Sequence, residues 1–181
     1  MSELHAARER TEAKAKYAAV HLAELRTFRA VERAQGTNWE RAHQESFLYH
    51  LLGVRDALLQ EINLFHACGI QMDQVRKQDL SARLASQGKT APGLDIVTAL
   101  EDDPKSWLSM AGRLRHFSTH QKNVPQQYFV GGDRHDSIFL KDPLDGALIE
   151  KDYGELFSDW LRRMNELVVD VRAKMPGAEN A

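Results

Sequence analysis

The sequence predicts an all-α fold, an antiparallel helical bundle with a small β-hairpin inserted before the C-terminal helix. Apolar residues recur at helical spacing through most of the 181 residues. Only between residues 126 and 149 does the pattern change to two short runs rich in aromatic and β-branched residues. A chain of this length with 43% hydrophobic residues can bury one core, and no repeat or linker divides it. We therefore expect residues 1–181 to form a single domain.

Two long helices are expected first. Residues 3–35 contain neither Gly nor Pro and are followed by Gly36, where a helix ends readily. Thr37 and Glu40 then have the form of a capping box, which predicts a second helix from there to about Cys68. Its apolar stripe, between residues 47 and 65, is wider than a surface helix needs, so we expect this to be the central helix of the bundle.

Three polar or small residues stand out within this central helix. Gly53 costs roughly 1 kcal/mol relative to Ala, a cost most easily offset where another helix approaches closely. His50 and Glu61 lie along one margin of the apolar stripe. We expect both to be hydrogen-bonding residues at the edge of the core, because buried polar groups rarely lack partners.

The remaining elements follow from turn and capping residues. Residues 74–87 predict a shorter helix closed by Gly88, and residues 94–100 predict one or two further helical turns. Asp103 as cap and Pro104 as first residue predict the start of the next helix, which should stop before Pro125.

The predicted hairpin joins the runs Tyr128–Val130 and Ser137–Leu140 through a turn at Gly131 and Gly132. Asp152 with Glu155 then predicts the start of the last helix, at about residues 152–175.

Composition limits the classes of function. A formal charge of −2 and a pI near 6.4 exclude a protein that coats nucleic acid through bulk charge, so any such contact must be local. The single cysteine, Cys68, excludes an intrachain disulfide and is expected to be a small buried hydrophobe. No apolar run resembles a signal peptide or a membrane span. We expect a cytoplasmic protein with no membrane contact.

The stretch Trp107–Lys122 combines an apolar helical stripe with clustered cations and two closely spaced histidines. Residues 104–125 contain four Lys or Arg and no Asp or Glu, whereas the rest of the chain has 20 basic and 26 acidic residues. The cations are Lys105, Arg113, Arg115 and Lys122. A local excess of this kind favours an anionic partner such as phosphate.

The expected helix divides these side chains between two faces. Trp107, Met110, Ala111, Leu114 and Phe117 form the core-facing stripe. His116 and His120, four residues apart, lie one above the other on the opposite face. Arg115 and His120 are about 140° apart on a straight helix. They would meet on one ligand only through the reach of Arg115, a break near Ser118 and Thr119, or a second chain.

Arg115, the polar His116 directly after it, and His120 after four intervening residues together resemble the catalytic motif of the HEPN superfamily (higher eukaryotes and prokaryotes nucleotide-binding domains). Its members are small α-helical bundles that include metal-independent ribonucleases. The layout is similar as well, with two long helices before the helix that carries the motif. The hairpin before the last helix departs from the family pattern.

The resemblance implies a HEPN-like domain that acts on RNA or a nucleotide, as an endoribonuclease of a toxin or defence system. Arg115 and His120 would be catalytic, and His116, Arg113 and Lys122 would bind substrate. RNA supplies its own nucleophile in the 2′-OH, so the protein needs only to hold the phosphate and move protons. No metal or cofactor is required. The family usually assembles its cleft across a two-fold interface, so we expect a homodimer and, for a toxin, an antitoxin-like protein partner.

Two alternatives remain open from the residues. A non-catalytic helical binding or scaffold protein would keep the fold without the chemistry, since cations near a helix C-terminus are also favoured by its dipole. His116 and His120 also have a common two-ligand metal spacing. A third ligand would then come from His50, Glu61, His66 or His135.

Overall fold

The structure is a computed structural model that describes residues 2–32, 38–120, 124–129 and 137–176; for residues 28–32 and 120 it describes the backbone only. The described residues form six helices and three strands. In chain order these are α1 (Glu3–Glu32), α2 (Asn38–Phe65), α3 (Lys77–Ser86), α4 (Pro92–Asp102), α5 (Trp107–His120), β1 (Gln126–Phe129), β2 (Ser137–Lys141), β3 (Leu148–Asp152) and α6 (Tyr153–Ala173). The expectation of a mostly helical fold with a small β element before the last helix is confirmed.

Helix α2 is the central element, as its wide apolar stripe predicts. It packs along α1 and also contacts α4, α5 and α6. Phe47, Leu51 and Leu58 are fully buried, and Phe47 stacks on Phe157 of α6 with ring centroids 4.2 Å apart. Cys68 is buried just beyond the helix, as expected, and burial raises the pKa of its thiol.

Gly53 lies where α1 crosses α2. A Cβ added there would meet Cδ of Lys14 at 3.2 Å. The neighbour is the lysine side chain and not the backbone of α1, so the expected close approach of another helix stays a prediction; the missing side chain at Gly53 makes room for the lysine stem.

A buried ion pair ties both ends of the chain to α2. Glu61 is completely buried and accepts hydrogen bonds from Nε and Nη2 of Arg172 at 3.0 and 2.9 Å, and also from Thr11 of α1. The expected hydrogen bonds of Glu61 are present, but the expected place at the edge of the core is wrong. Arg172 in α6, 111 residues away, supplies the charge that makes full burial tolerable.

The β element is a three-stranded antiparallel sheet in the order β1-β2-β3, and the prediction of a simple hairpin is incomplete. β1 pairs with β2 from Gln126 opposite Leu140 to Phe129 opposite Ser137. β3, missing from the prediction, pairs with β2 across a register shift. The predicted turn at Gly131 and Gly132 lies outside the described residues.

Asp152 joins the sheet to the last helix. Its Oδ2 accepts from the amide of Ile138 in β2 at 2.8 Å, and its Oδ1 accepts from the amide of Gly154 at 3.0 Å. The predicted cap of α6 is thus confirmed. The same carboxylate also closes the end of β3, which explains how a strand and a helix meet without a loop.

Helix α5 begins later than predicted. Asp103 accepts from the amide of Lys105, which makes a turn, and Ser106 then accepts from the amide of Ser109 at 3.0 Å. Ser106 is therefore the N-cap, and the helix starts at Trp107 and not at Pro104.

None of the helices in the described part of the chain has the length and apolar content needed to span a bilayer.

Candidate functional site

Helix α5 carries the candidate site because its core face is fixed by apolar packing. Leu108, Ala111 and Leu114 are buried against the rest of the bundle. Met110 and Phe117, also predicted to face the core, are half-buried. The polar residues between them are therefore directed to the helix flanks and to solvent.

Arg113 is held by a carboxylate that is distant in sequence. Its Nε and Nη2 donate to the two oxygens of Asp142 at 2.9 and 2.6 Å, and its Nη1 donates to Ser109 Oγ at 3.0 Å. Burial alone would raise the pKa of Asp142, but the hydrogen bonds from Arg113 and from the Leu144 amide outweigh it and lower that pKa. Arg113 thus fastens α5 to the β2–β3 turn, and a role for it in binding substrate stays a prediction.

Arg115 points to the other flank, towards α2. Its Nη1 is 3.7 Å from Oδ2 of Asp56, and its guanidinium carbon lies 5.2 Å from the ring centroid of Tyr49. The side chain is 30% exposed. The stretch around Arg115 has no acid in sequence, yet in space Asp56 and Asp142 each approach one of its arginines.

His116 is exposed and lines a cleft of about 620 Å³. The cleft lies between α2, the start of α3, α4, α5 and the β2–β3 turn, and its polar lining residues are Arg55, Lys77, Glu101, Ser109, Arg113 and His116. Glu101 forms ion pairs with Arg55 at 2.8 Å and with Lys77 at 3.2 Å. The cations of the cleft are therefore partly neutralised, and its apolar walls include Leu52, Leu108 and Phe117.

A chain of alternating charges connects Arg115 with this cleft. Asp56, which approaches Arg115, is also 3.1 Å from Nε of Arg55, and Arg55 in turn pairs with Glu101. An anion that binds at Arg115 would compete with Asp56.

His120 is the last residue of α5, one turn beyond His116, and its side chain lies outside the description. Lys122 also lies outside the described residues. The hydroxyls of Ser118 and Thr119 both donate to the carbonyl oxygen of Arg115, at 3.0 and 2.9 Å, and the helix continues past them. The break considered near Ser118 and Thr119 is therefore absent from the described helix. Arg115 and His120 can then share a ligand only through the reach of Arg115 or across a second chain.

The metal alternative stays a hypothesis, because the side chain of His120, one of its two ligands, lies outside the described residues. Nowhere in the described ranges is a group of three or more His, Cys, Asp or Glu arranged to hold a metal ion. Glu61 is occupied by Arg172, and His50 packs against aromatic rings of α1 and α2. His135 lies outside the described residues.

The residues that sequence reasoning missed are those of the α1–α2 face next to Arg115. Tyr49 is 52% exposed, and Nζ of Lys14 also lies 5.2 Å from its ring centroid. One feature of the sequence indicates this face. His43 and His50 are seven residues apart and therefore lie on one side of α2.

Compared with protein-family models, with curated proteins and with solved structures, the chain has no significant match. A functional assignment must therefore rest on its own residues.

Proposed function

We propose that this chain is a HEPN-like domain that acts on RNA as a metal-independent endoribonuclease. The observation that carries the proposal is the setting of Arg115. Its guanidinium is at the surface, has a loose contact with Asp56 at 3.7 Å, and stands on the same helix as the exposed His116 and as His120. A cation of this kind can exchange its carboxylate for a phosphate at small cost.

The chemistry needs few groups. The 2′-OH of the ribose attacks the adjacent phosphorus, the bond to the 5′-oxygen breaks, and a 2′,3′-cyclic phosphate and a 5′-hydroxyl result. His120 takes the proton from the 2′-OH and returns it to the 5′-oxygen as that oxygen leaves, and Arg115 stabilises the charge that develops on the phosphoryl oxygens. His116 and Arg113 position the phosphate from the neighbouring cleft, and Lys122 adds positive potential.

A homodimer completes the site in this proposal. Because α5 continues unbroken to His120, one copy of Arg115 and the His120 of a second copy are the simplest pair to share one phosphate. The proposal places such a dimer in the cytoplasm, as a toxin or defence ribonuclease restrained by an antitoxin-like protein.

A second candidate is a non-catalytic helical binding or scaffold protein. The observation that favours it is that Arg113 and Arg115 both contact carboxylates, which is what a purely structural basic helix would show. The two candidates predict different results for the same two variants.

Arg115→Ala and His120→Ala should each abolish RNA cleavage while leaving the melting temperature nearly unchanged. Loss of a proton-transfer group lowers a rate by about 10²- to 10⁴-fold, and loss of a donor to a developing oxyanion lowers it by about 10²- to 10³-fold. Arg162→Ala is the matched control, because it removes the same charge from the exposed face of α6. Wild-type protein that cuts no RNA would establish the scaffold alternative, and variants that unfold would show that these residues are structural.

A further inference from the structure

Helices α1 and α2 present a continuous row of aromatic rings on the face next to Arg115. We call it the aromatic surface, and its members are Tyr17, His21, Trp39, His43, Tyr49 and His50. Tyr17, Tyr49 and Trp39 are 51%, 52% and 38% exposed. Exposed apolar side chains that lie side by side mark an interaction surface more often than isolated ones do.

The rings touch one another without a gap. His50 is at the centre of one half, with its ring centroid 5.2 Å from that of Tyr17 and 5.3 Å from that of Tyr49. His50 also stacks on His21 at 5.4 Å. From there the row continues from His21 to His43 at 5.0 Å and from His43 to Trp39 at 3.9 Å. Three of these pairs meet edge to face, at interplanar angles of 62°, 64° and 79°, so the row offers separate ring faces to unpaired bases and not one flat platform.

Two cations flank the end of the row at Tyr49. Lys14 and Arg115 come from different helices, and each lies 5.2 Å from the centroid of the Tyr49 ring. Gly53 leaves the space through which the stem of Lys14 passes. Within the described part of the chain no carboxylate forms an ion pair with Lys14, so its charge is available to an anion. Both cations lie over the ring itself, so a base that stacks on Tyr49 would displace one of them from the ring face towards the neighbouring phosphate.

Two carboxylates limit how positive this face is. Asp56 lies beside Arg115, and Glu24 acts on His21. The affinity of such a surface must come mainly from ring stacking, with a small number of phosphate contacts. Double-stranded nucleic acid fits this balance poorly, because its bases are already stacked on each other and it offers mainly phosphates.

We propose that the aromatic surface binds the unpaired bases of single-stranded RNA, with Lys14 and Arg115 holding the phosphates next to the base on Tyr49. The inference rests on the proposed function, since it leads the strand to Arg115. It adds the surface along which the RNA reaches the site.

The test is binding of a fluorescein-labelled single-stranded oligoadenylate of about 12 nucleotides, within the site sizes of known single-strand-binding folds. Anisotropy is measured in the His120→Ala background, so that the RNA stays intact. Tyr49→Ala should weaken binding by about five- to 100-fold, the range for loss of one stacked base. Tyr49→Phe should retain most of the affinity for the oligoadenylate, because the ring is kept. Val169→Ala on α6, at a side chain 66% exposed, is the control and should bind as the parent does.

Further binding measurements separate the contribution of ring stacking from that of charge, and separate single-stranded RNA from duplex. Lys14→Gln should reduce the dependence of log affinity on log salt by about one phosphate contact. A blunt duplex of the same length should bind more weakly than the single strand and should not respond to Tyr49→Ala. Circular dichroism and melting temperature confirm that each variant is folded, as expected for changes at exposed side chains.

Three results would overturn the inference. These are equal affinity of Tyr49→Ala and its parent for the single strand, a preference for duplex, or a change from dimer to monomer on Tyr49→Ala, which would make this face an interface between copies. If wild type cuts RNA but Tyr49→Ala binds and cuts normally, only the aromatic surface is wrong. If RNA binds through Tyr49 and is never cut, the surface stands and the nuclease proposal fails.

Discussion

At the scale of single residues, two arginines of one helix have different surroundings. Arg113 has all its described hydrogen bonds directed at Asp142 and Ser109, whereas Arg115 has a looser contact with Asp56 and lies over an exposed ring. The sequence placed both in one basic patch. It could not separate them, because Asp142 is 29 residues away and reaches Arg113 only through the fold.

Asp142→Asn should therefore destabilise the protein. It removes the charge from a nearly buried carboxylate that accepts two hydrogen bonds from Arg113, and a charged hydrogen bond contributes about 1.5–3 kcal/mol. Asp145→Asn, in the same turn but exposed, is the matched control. Urea unfolding measures the stability of both variants. An equal free energy of unfolding for the two would contradict the role of Arg113 in fastening α5 to the β2–β3 turn.

The ion pair of Arg113 and Asp142 also makes the free energy of unfolding depend on pH. The folded-state pKa of Asp142 is lowered, so its stabilising contribution is complete above the ordinary pKa of 3.8 and is lost as the pH falls through the folded-state value. The Asn variant lacks this contribution at every pH.

At the scale of elements, most helices could be predicted, because their apolar stripes and caps are local. α2 is central as expected, and α6 begins at the predicted cap. β3 could not be predicted, since Leu148–Asp152 has one buried residue, Ile149, and is a strand only because β2 is beside it. The α1–α2 face was missed for the same reason: His21 is distant in sequence from His43 and His50, and only helix packing brings them together.

This face predicts a loss of stability in mild acid. Burial lowers the pKa of His21 and of His50, and nearby His43 and Lys14 lower them further. Below the ordinary value of 6.5 the unfolded chain binds protons that the folded chain does not, so the free energy of unfolding should fall as the pH drops through 6.5.

The double variant His21→Gln/His50→Gln should have a flatter profile between neutral pH and pH 5. Urea titrations at each pH measure it, with His5→Gln, an exposed position on α1, as the control. Profiles that are parallel for wild type and the double variant would show that these two histidines do not couple to folding. Burial also lowers the pKa of His66, so this residue accounts for some of the pH dependence that remains in the double variant.

At the scale of the whole molecule, the expected dimer does not follow from an uncovered apolar face. The wide stripe of α2 is covered by the chain itself, since Phe47, Leu52 and Leu59 are buried. The remaining reason for a dimer is the site, where an unbroken α5 keeps Arg115 and His120 apart around one helix.

Sedimentation at micromolar concentration should therefore give a dimer, and Tyr49→Ala should sediment as the wild type does. Mixing Arg115→Ala with His120→Ala protein should restore part of the cleavage, because a mixed dimer would contain one intact pair. A monomer at this concentration would exclude a site shared between copies.

The most direct test of the central claim is the product that wild-type protein makes from single-stranded RNA in the presence of EDTA. Attack by the 2′-OH without a metal predicts cleavage at an undiminished rate, with 2′,3′-cyclic phosphate and 5′-hydroxyl ends identified by mass spectrometry. Cleavage that EDTA abolishes, or products with 5′-phosphate ends, would contradict the proposed chemistry of Arg115 and His120.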